Sequence, residues 1–275
     1  GEGSVSNVSG DYTISGLTNV DTYQVEITGD FPRIFFNDEG DEEKLQSIEQ
    51  WGDIEWSSMN RAFFGCSNMV YNATDIPDLS GLTDLTQMFE GCTQFDGDID
   101  NWDVSNVIFM GRMFEGATSY NQDMVSWQVG NVTDMSSMFS GATVFNGNIS
   151  DWDVSNVFEM DWMFVNTEAF NQDISGWDVS KVLRMQGMFD DALAFNQDIS
   201  SWNVGKVNNM QQMFSGANAF NQDISGWNVS NVTNMSYMFY LNTSFNQDIS
   251  TWDVSSVITM NRMFSESIYN QPLNS

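Results

Sequence analysis

The sequence predicts an α/β repeat solenoid, a coil of one short strand and one short helix per 25 residues, with a small N-terminal β cap. Two periodicities lead to this prediction. Tryptophan recurs every 25 residues, at Trp102, Trp127, Trp152, Trp177, Trp202, Trp227 and Trp252. Phenylalanine recurs at the same interval, at Phe114, Phe139, Phe164, Phe189, Phe214, Phe239 and Phe264. A fixed period of about 20 to 50 residues is typical of units that stack on copies of themselves.

The helix of each repeat is predicted from apolar spacing. Val107, Met110, Met113, Phe114 and Ala117 follow one another at intervals of 3, 3, 1 and 3 residues. This spacing places them on one side of a short α- or 3₁₀-helix.

The strand is predicted from alternation. In Asp173-Ile174-Ser175 a polar, an apolar and a polar residue alternate, so a short strand would turn Ile174 inward and its neighbours outward. Trp177 lies beyond this strand, and Asp178 supplies an N-capping side chain for the next helix. One strand and one helical turn per repeat describe a leucine-rich-repeat-like coil.

The N-terminal residues 1–43 differ from the array at 44–275. Tyr23, Val25 and Ile27 alternate with polar residues and predict a half-buried strand, and Ile34–Phe36 predicts a second one. Shifting the repeat pattern back by 51 residues predicts core residues at Ile48, Trp51, Trp56, Met59, Phe63 and Cys66. The chain stops early in a further repeat, which suggests an array truncated at its C-terminus.

Composition narrows the function classes. A formal net charge of −30 repels nucleic acid and anionic lipid. Cations, basic partners and neutral glycans remain as candidate binding partners. No apolar run approaches membrane-spanning length, so no membrane insertion is expected. Cys66 and Cys92 are expected to stack as two small buried thiols, with a disulfide as the alternative in an oxidising compartment.

Stacking turns each repeat position into a column. One column is asparagine, and its amides are expected to donate to one backbone carbonyl and accept from the next repeat. A second column is predicted to point outward and is the candidate ligand-binding surface, formed by Asp98, Asp123, Asp173, Asp198, Asp223, Asp248, Ser175, Ser200, Ser225 and Ser250. Calcium bridging these carboxylates is one hypothesis, and local hydrogen bonding is the other.

Catalysis finds little support, because the chain has no histidine and no carboxylate pair stands out. The periodic tryptophans are expected in the core, with an exposed sugar-binding platform as the alternative. Trp162, Tyr237 and Tyr240 interrupt the repeat pattern and are predicted to be exposed contact residues.

The segments Met138-Phe139-Ser140-Gly141-Ala142-Thr143 and Phe170-Asn171-Gln172-Asp173-Ile174-Ser175 resemble the BspA-family leucine-rich-repeat surface proteins, also known as DUF285 repeats. The stretch from Thr22 to Ile34 is similar to segments that lead into such arrays in Bacteroidota, often after a PKD-like domain. The resemblance implies an exported cell-surface protein, often delivered by type IX secretion in that phylum.

We therefore expect a non-catalytic, extracellular adhesion or partner-binding module whose partner is a cell-surface or extracellular protein or glycan. The alternatives are a structural stalk displayed by a secretion system and a calcium-bridged glycan-binding solenoid. The outward column repeats Asp and Ser with few exceptions, which favours a spacer, a periodic ligand or homotypic contact over one irregular epitope.

Overall fold

The repeats form a regular stack in the computed structural model, which describes residues 22–31 and 33–272. Isolated parallel bridges connect equivalent positions of consecutive repeats along one line, through Asp84, Phe109, Asp134, Glu159, Arg184, Asn209, Asn234 and Thr259. Successive members of this line are 25 residues apart, so the predicted period of stacking is confirmed.

The predicted α/β class is wrong. The described part of the chain contains no α-helix, and its only helical element is the 3₁₀ turn Glu42–Lys44. Its only strands are β1, Ser47–Ile48, and β2, Val70–Tyr71, which pair in parallel with Ser47 opposite Val70. A leucine-rich-repeat-like coil with one strand and one helix per repeat is therefore not what this chain forms.

The predicted helix is replaced by consecutive turns. The backbone N–H of Met113 donates to the carbonyl of Met110 (3.2 Å), and that of Ala117 donates to Phe114 (3.1 Å), as a 3₁₀-helix would have it. However, Arg112 and Gly116 have φ values of 58° and 70°. A positive φ at the third residue of a four-residue turn is typical of type II turns and interrupts a helix. Apolar residues three apart face inward in both structures, so the spacing alone does not separate them.

Alternate peptide groups of this segment link the repeats. The N–H groups of Met110, Arg112, Phe114 and Gly116 donate to the carbonyls of Asp134, Ser136, Met138 and Ser140 in the next repeat, at 2.7 to 3.1 Å. The same four bonds recur from repeat to repeat, and they form four hydrogen-bonded chains along the stack. The backbone polar groups of the turns are thereby paired without helix or sheet.

The predicted strand is also a turn. Ile174 is buried as expected, but its carbonyl accepts the N–H of Trp177 (3.1 Å), which closes a tight turn. Asp173 accepts the backbone N–H of Ser175 (3.0 Å) within the same repeat. An Asp side chain that bonds to the backbone two residues on is a turn signal, and it competes with strand pairing.

Columns of rings fill the core. The indoles of Trp152 and Trp177 are parallel within 1° with centroids 6.4 Å apart, and both are buried. Each interior indole N–H from Trp127 onward donates to a carbonyl of the preceding repeat, as Trp177 does to Ile149 (3.2 Å). Phe164 stacks on Phe170 at 4.0 Å. The prediction that the periodic tryptophans are core is confirmed, and the alternative of an exposed platform is wrong.

The predicted N-terminal β cap, residues 1–43, lies partly outside the described residues, and its described part forms no sheet of its own. Residues 22–31 contain no strand, and Val25 and Ile27 are exposed. Arg33 makes a single parallel bridge with Ser58, and the Phe36 N–H donates to the Ala62 carbonyl (3.1 Å), which extends the line of bridges without building a sheet. Every core residue predicted by the 51-residue shift is buried, which confirms that part of the register: Ile48, Trp51, Trp56, Met59, Phe63 and Cys66.

The two cysteines are free and buried, as expected of small core residues. The Cys92 thiol donates to the Phe63 carbonyl (3.0 Å). Thr167 occupies the same column and donates in the same way to Phe139 (2.9 Å). Burial raises the pKa of Cys66 to about 12 and also raises that of Cys92, so both remain thiols.

Candidate functional site

The asparagine column has a structural role. The side-chain oxygen of Asn171 accepts the backbone N–H of Asn196 in the next repeat (2.9 Å), and the same bond recurs along the column. This confirms the accepting half of the prediction. The donor to the backbone carbonyl is a neighbouring glutamine, since the Gln197 amide donates to the carbonyl of Asn171 (2.8 Å). Sequence reasoning missed the glutamine, although its 25-residue recurrence was a signal for it.

The aspartate column is exposed, and its carboxylates bond mainly within their own turns. Asp173, Asp198, Asp223 and Asp248 each accept the backbone N–H of the serine two residues on, namely Ser175, Ser200, Ser225 and Ser250, at 2.9 to 3.0 Å. Hydrogen bonds from the serine hydroxyls and backbone amides lower the pKa of these four carboxyl groups. Local hydrogen bonding, one of the two hypotheses for this column, is thus observed.

The first two members of the column differ. Asp98 accepts the N–H of Asp100 (3.2 Å), whereas Asp123 accepts the N–H of Asn148 in the next repeat (2.8 Å). A shallow groove lies beside them, lined by Asp98, Asp100, Asp123 and neighbouring amides. Among the described residues, no group of three or more carboxylate or thiol side chains is arranged to hold a metal ion.

The positions that follow the line of bridges form a different surface, which we call the variable face. It comprises the positions equivalent to Ile108, Phe109, Gly111, Arg112 and Glu115 in each repeat from Thr83 to Ser265. The bridge position is occupied by six residue types in eight repeats: Asp84, Phe109, Asp134, Glu159, Arg184, Asn209, Asn234 and Thr259. The intervening positions of Met113 and Phe114 stay unchanged over the same repeats. The aspartate column repeats Asp and Ser as described above, whereas the variable face changes its residue types from repeat to repeat.

Polar side chains are fixed within the variable face. Of the eight buried polar or charged residues in the described part of the chain, six lie at its positions: Gln87, Ser137, Asp161, Asp190, Ser215 and Ser236. Buried polar groups are stable only when they are hydrogen-bonded. This face is therefore a preorganised polar surface, with side chains held by specific partners.

One such network compensates for a change of residue type. In four of the eight repeats an Asp or Asn at the bridge position accepts the N–H two residues on, as Asn209 does from Gln211 (3.1 Å). Arg184 occupies this position and cannot accept. Asp161 of the preceding repeat takes over, since it accepts the Gln186 N–H (2.7 Å) and the Nε of Arg184 (2.6 Å). Burial raises the pKa of Asp161, and these two bonds act against that rise.

Asp190 is the second buried acid of the face. Its side chain is 8% exposed and accepts a hydrogen bond from the Gln212 amide (3.0 Å). Burial raises its pKa to about 6, and the nearby Asp191 adds to the rise. Asp190 therefore changes its charge in the mildly acidic range.

The middle of the face presents apolar and aromatic side chains. Phe158 and Leu183 occupy one column in adjacent repeats and are 42% and 40% exposed. Trp162, predicted to be exposed, is half-buried and extends over Gly187, where an added Cβ would lie 1.9 Å from the indole ring. The indole therefore packs directly on the Gly187 backbone, in space that a side chain at this position would fill.

The C-terminal half of the face is different in character. Tyr237 and Tyr240, also predicted to be exposed, are half-buried and contact each other edge to face with centroids 5.5 Å apart. Around them the bridge positions are occupied by Asn209, Asn234 and Thr259. These side chains are held by hydrogen bonds, as in the Asn234 amide donating to Gln211 (2.9 Å).

Comparison with known proteins gives one family. A family model described as "Mycoplasma protein of unknown function, DUF285" matches residues 57–175 and 197–275. The two segments together cover more than two thirds of the chain and include nearly all of the variable face. No match was found among the curated proteins. No helix of the described residues is long and apolar enough to cross a membrane.

Proposed function

The chain belongs to the DUF285 family, and we propose that it is a non-catalytic, extracellular adhesion module that binds its partner through the variable face. The observation that supports this most directly is the contrast between positions. Residues that build the stack repeat almost unchanged, whereas the positions along the line of bridges change in charge, size and ring content from one repeat to the next.

Structural roles account for the repeated polar positions. The asparagines accept inter-repeat backbone N–H groups, and the aspartates close turns. The phenylalanines and tryptophans fill the core. A surface that only had to hold the stack together would repeat its chemistry as these columns do. A surface that recognises one irregular partner needs a different side chain in each repeat.

The middle of the variable face has the composition of a contact centre. Phe158 and Leu183 offer adjacent exposed apolar side chains, and Trp162 and Arg184 lie at neighbouring positions of the same two repeats. Protein interfaces concentrate binding energy in Trp, Tyr and Arg side chains near their centre, surrounded by a polar rim. The indole of Trp162, half-buried and packed on Gly187, has less freedom to lose on binding than a fully exposed ring.

The resemblance to BspA-type surface proteins supports an extracellular location. It also supports export by a type IX system. Non-catalytic action is supported by the absence of histidine from the sequence. A structural stalk remains the competing function, and it differs in needing no ligand.

A binding experiment separates the two functions. The full chain is tested by interferometry against immobilised collagen, laminin, fibronectin and mucin, and we expect at least one to bind without being altered. Replacing both Phe158 and Leu183 by Ser should abolish that binding. The matched control replaces Val125 and Val144, which are 43% and 44% exposed but lie outside the variable face, and should leave it intact. Absence of binding to every panel member would favour the stalk, whereas equal loss in both variants would contradict the role assigned to Phe158 and Leu183.

A further inference from the structure

From Asn208 to Tyr240 the variable face carries no charged residue, in a protein whose net charge is −30. Between Lys206 and Asp253 the only charged residues are Asp223 and Asp248, and both belong to the aspartate column. The face itself presents amides, a hydroxyl and two tyrosines over these repeats, and we call this region the amide surface: Asn208, Asn209, Gln211, Gln212, Thr233, Asn234, Tyr237 and Tyr240.

We propose that the amide surface binds a neutral, hydroxyl-rich polysaccharide. This inference rests on the proposed role of the variable face as the contact surface, and it adds the chemical class of one ligand.

Hydrogen bonds between repeats orient the amides. Asn209 donates to Gln186 (2.9 Å), and Asn234 donates to Gln211 (2.9 Å). Gln211 in turn donates to Gln212 (3.0 Å). The amides of successive repeats are therefore fixed in series along the direction of stacking, and a long ligand could contact several of them at once.

Each amide retains unused hydrogen-bonding capacity. The Asn234 side chain donates one hydrogen to Gln211 and accepts one from the backbone of Ser236 (3.0 Å). An amide has two donor hydrogens and two acceptor lone pairs, so one of each remains available. A donor and an acceptor side by side match a pair of neighbouring sugar hydroxyls, which can both accept and donate.

The tyrosines supply the apolar contact that sugar binding requires. Tyr237 and Tyr240 are half-buried, so their rings are positioned without being covered. Aromatic rings pack against the C–H faces of pyranose rings, and a polar hydroxyl at the ring edge remains free to bond. Trp162 lies three repeats before Tyr237, whereas Arg184 of the protein-contact centre lies in the repeat next to Asn209, so the two regions are neighbours on one face.

Charge selects against the other large class of polysaccharides. Acidic glycans would be repelled by the overall negative charge, and the amide surface itself contains no Lys or Arg; the nearest ones on the variable face, Arg184 and Arg262, lie in the repeats at its two ends. A neutral ligand has no such cost, and hydrogen bonds to neutral hydroxyls need no desolvation of charge.

The test uses the full chain with defined probes. Cello-, xylo-, manno- and chito-oligosaccharides are compared with oligogalacturonate and heparin fragments by saturation-transfer NMR and calorimetry. We expect at least one neutral probe to bind and both acidic probes not to bind. Tyr237→Ala and Gln211→Ala should each weaken the neutral probe roughly tenfold or more, whereas Tyr237→Phe should retain most of the affinity. Thermal melts of each variant establish that the stack is intact.

Three outcomes would overturn the inference: no neutral probe binds, an acidic probe binds more tightly, or binding survives both Tyr237→Ala and Gln211→Ala. The variant with Phe158 and Leu183 replaced by Ser distinguishes the two proposals. It should lose binding to the immobilised protein panel and keep binding to the oligosaccharide. Binding to the protein panel without binding to any oligosaccharide would contradict only this inference. Binding to an oligosaccharide without binding to the protein panel would contradict only the proposed protein-contact centre.

Discussion

The buried carboxyl of Asp190 should make the protein more stable in mild acid than at neutral pH. Its folded pKa is about 6 against an ordinary value of 3.8, so between these values the native state holds a proton that the unfolded state has released. The contribution of Asp190 to stability therefore rises as pH falls through 6 and levels off below 4. At about pH 7.5 the displacement corresponds to a cost on the order of 2 to 3 kcal/mol, which the isosteric variant Asp190→Asn should recover.

Urea unfolding followed by tryptophan fluorescence at about pH 7.5, 6, 5 and 4 measures this effect. Asp190→Asn should exceed the wild type by roughly 2 to 3 kcal/mol at the highest pH, by about half as much at pH 5, and by well under 1 kcal/mol at pH 4. Taking the difference between the two proteins cancels the contribution of general charge repulsion, which both share. Asn can still accept from Gln212, so the hydrogen bond is retained.

The exposed Asp198 provides the control of opposite sign. Its pKa is lowered by hydrogen bonds from Ser200, so it stabilises the protein above its unfolded pKa, and that contribution is lost as pH falls through the lowered value. Asp198→Asn should therefore gain nothing at neutral pH. Parallel pH profiles for the wild type and Asp190→Asn would refute the argument that burial makes this acid costly.

Three further predictions follow from packing, thiol burial and the turn-closing carboxylates. Gly187→Ala should lower the free energy of unfolding by roughly 2 to 3 kcal/mol, because the new methyl group meets Trp162 and the residue has a φ of 58°. In a Trp162→Ala background the loss should fall to about 1 kcal/mol. Equal losses in the two backgrounds of this double-mutant cycle would contradict the contact. Cys66 and Cys92 should react with a thiol reagent only on unfolding, since burial raises the pKa of both; rapid labelling of the native protein would show that they are accessible. The melting temperature should be the same with calcium and with a chelator, because serine backbone amides already bind the aspartate carboxylates; a rise with calcium would support the cation-bridged column.

The core could be predicted residue by residue, whereas the local structure could not. Trp51 and Met59 were placed in the core by the repeat period alone, and both are buried. The same apolar spacing predicted a helix at Met110 to Ala117, where the chain forms turns. Intervals of three residues suit both structures, and the choice depends on the backbone angle at Arg112, which no side-chain pattern reveals.

The candidate site was only partly visible in the sequence. Periodic recurrence drew attention to the aspartate column, which serves mainly to close turns. The variable face was missed because its sequence signal is irregularity between repeats. Trp162 and Tyr237 were noticed as interruptions of the pattern and predicted to be exposed. Both side chains are half-buried instead.

The sequence by itself determined the 25-residue period, the residues that fill the core and the negative charge of the molecule, because each follows from identity and spacing along one dimension. The tertiary structure decided which backbone groups pair and which side chains meet. Asp161 contacts Arg184 and the backbone of Gln186 only because one repeat lies directly on the next. Those contacts depend on the offset between stacked repeats, which results from the summed packing of all the turns.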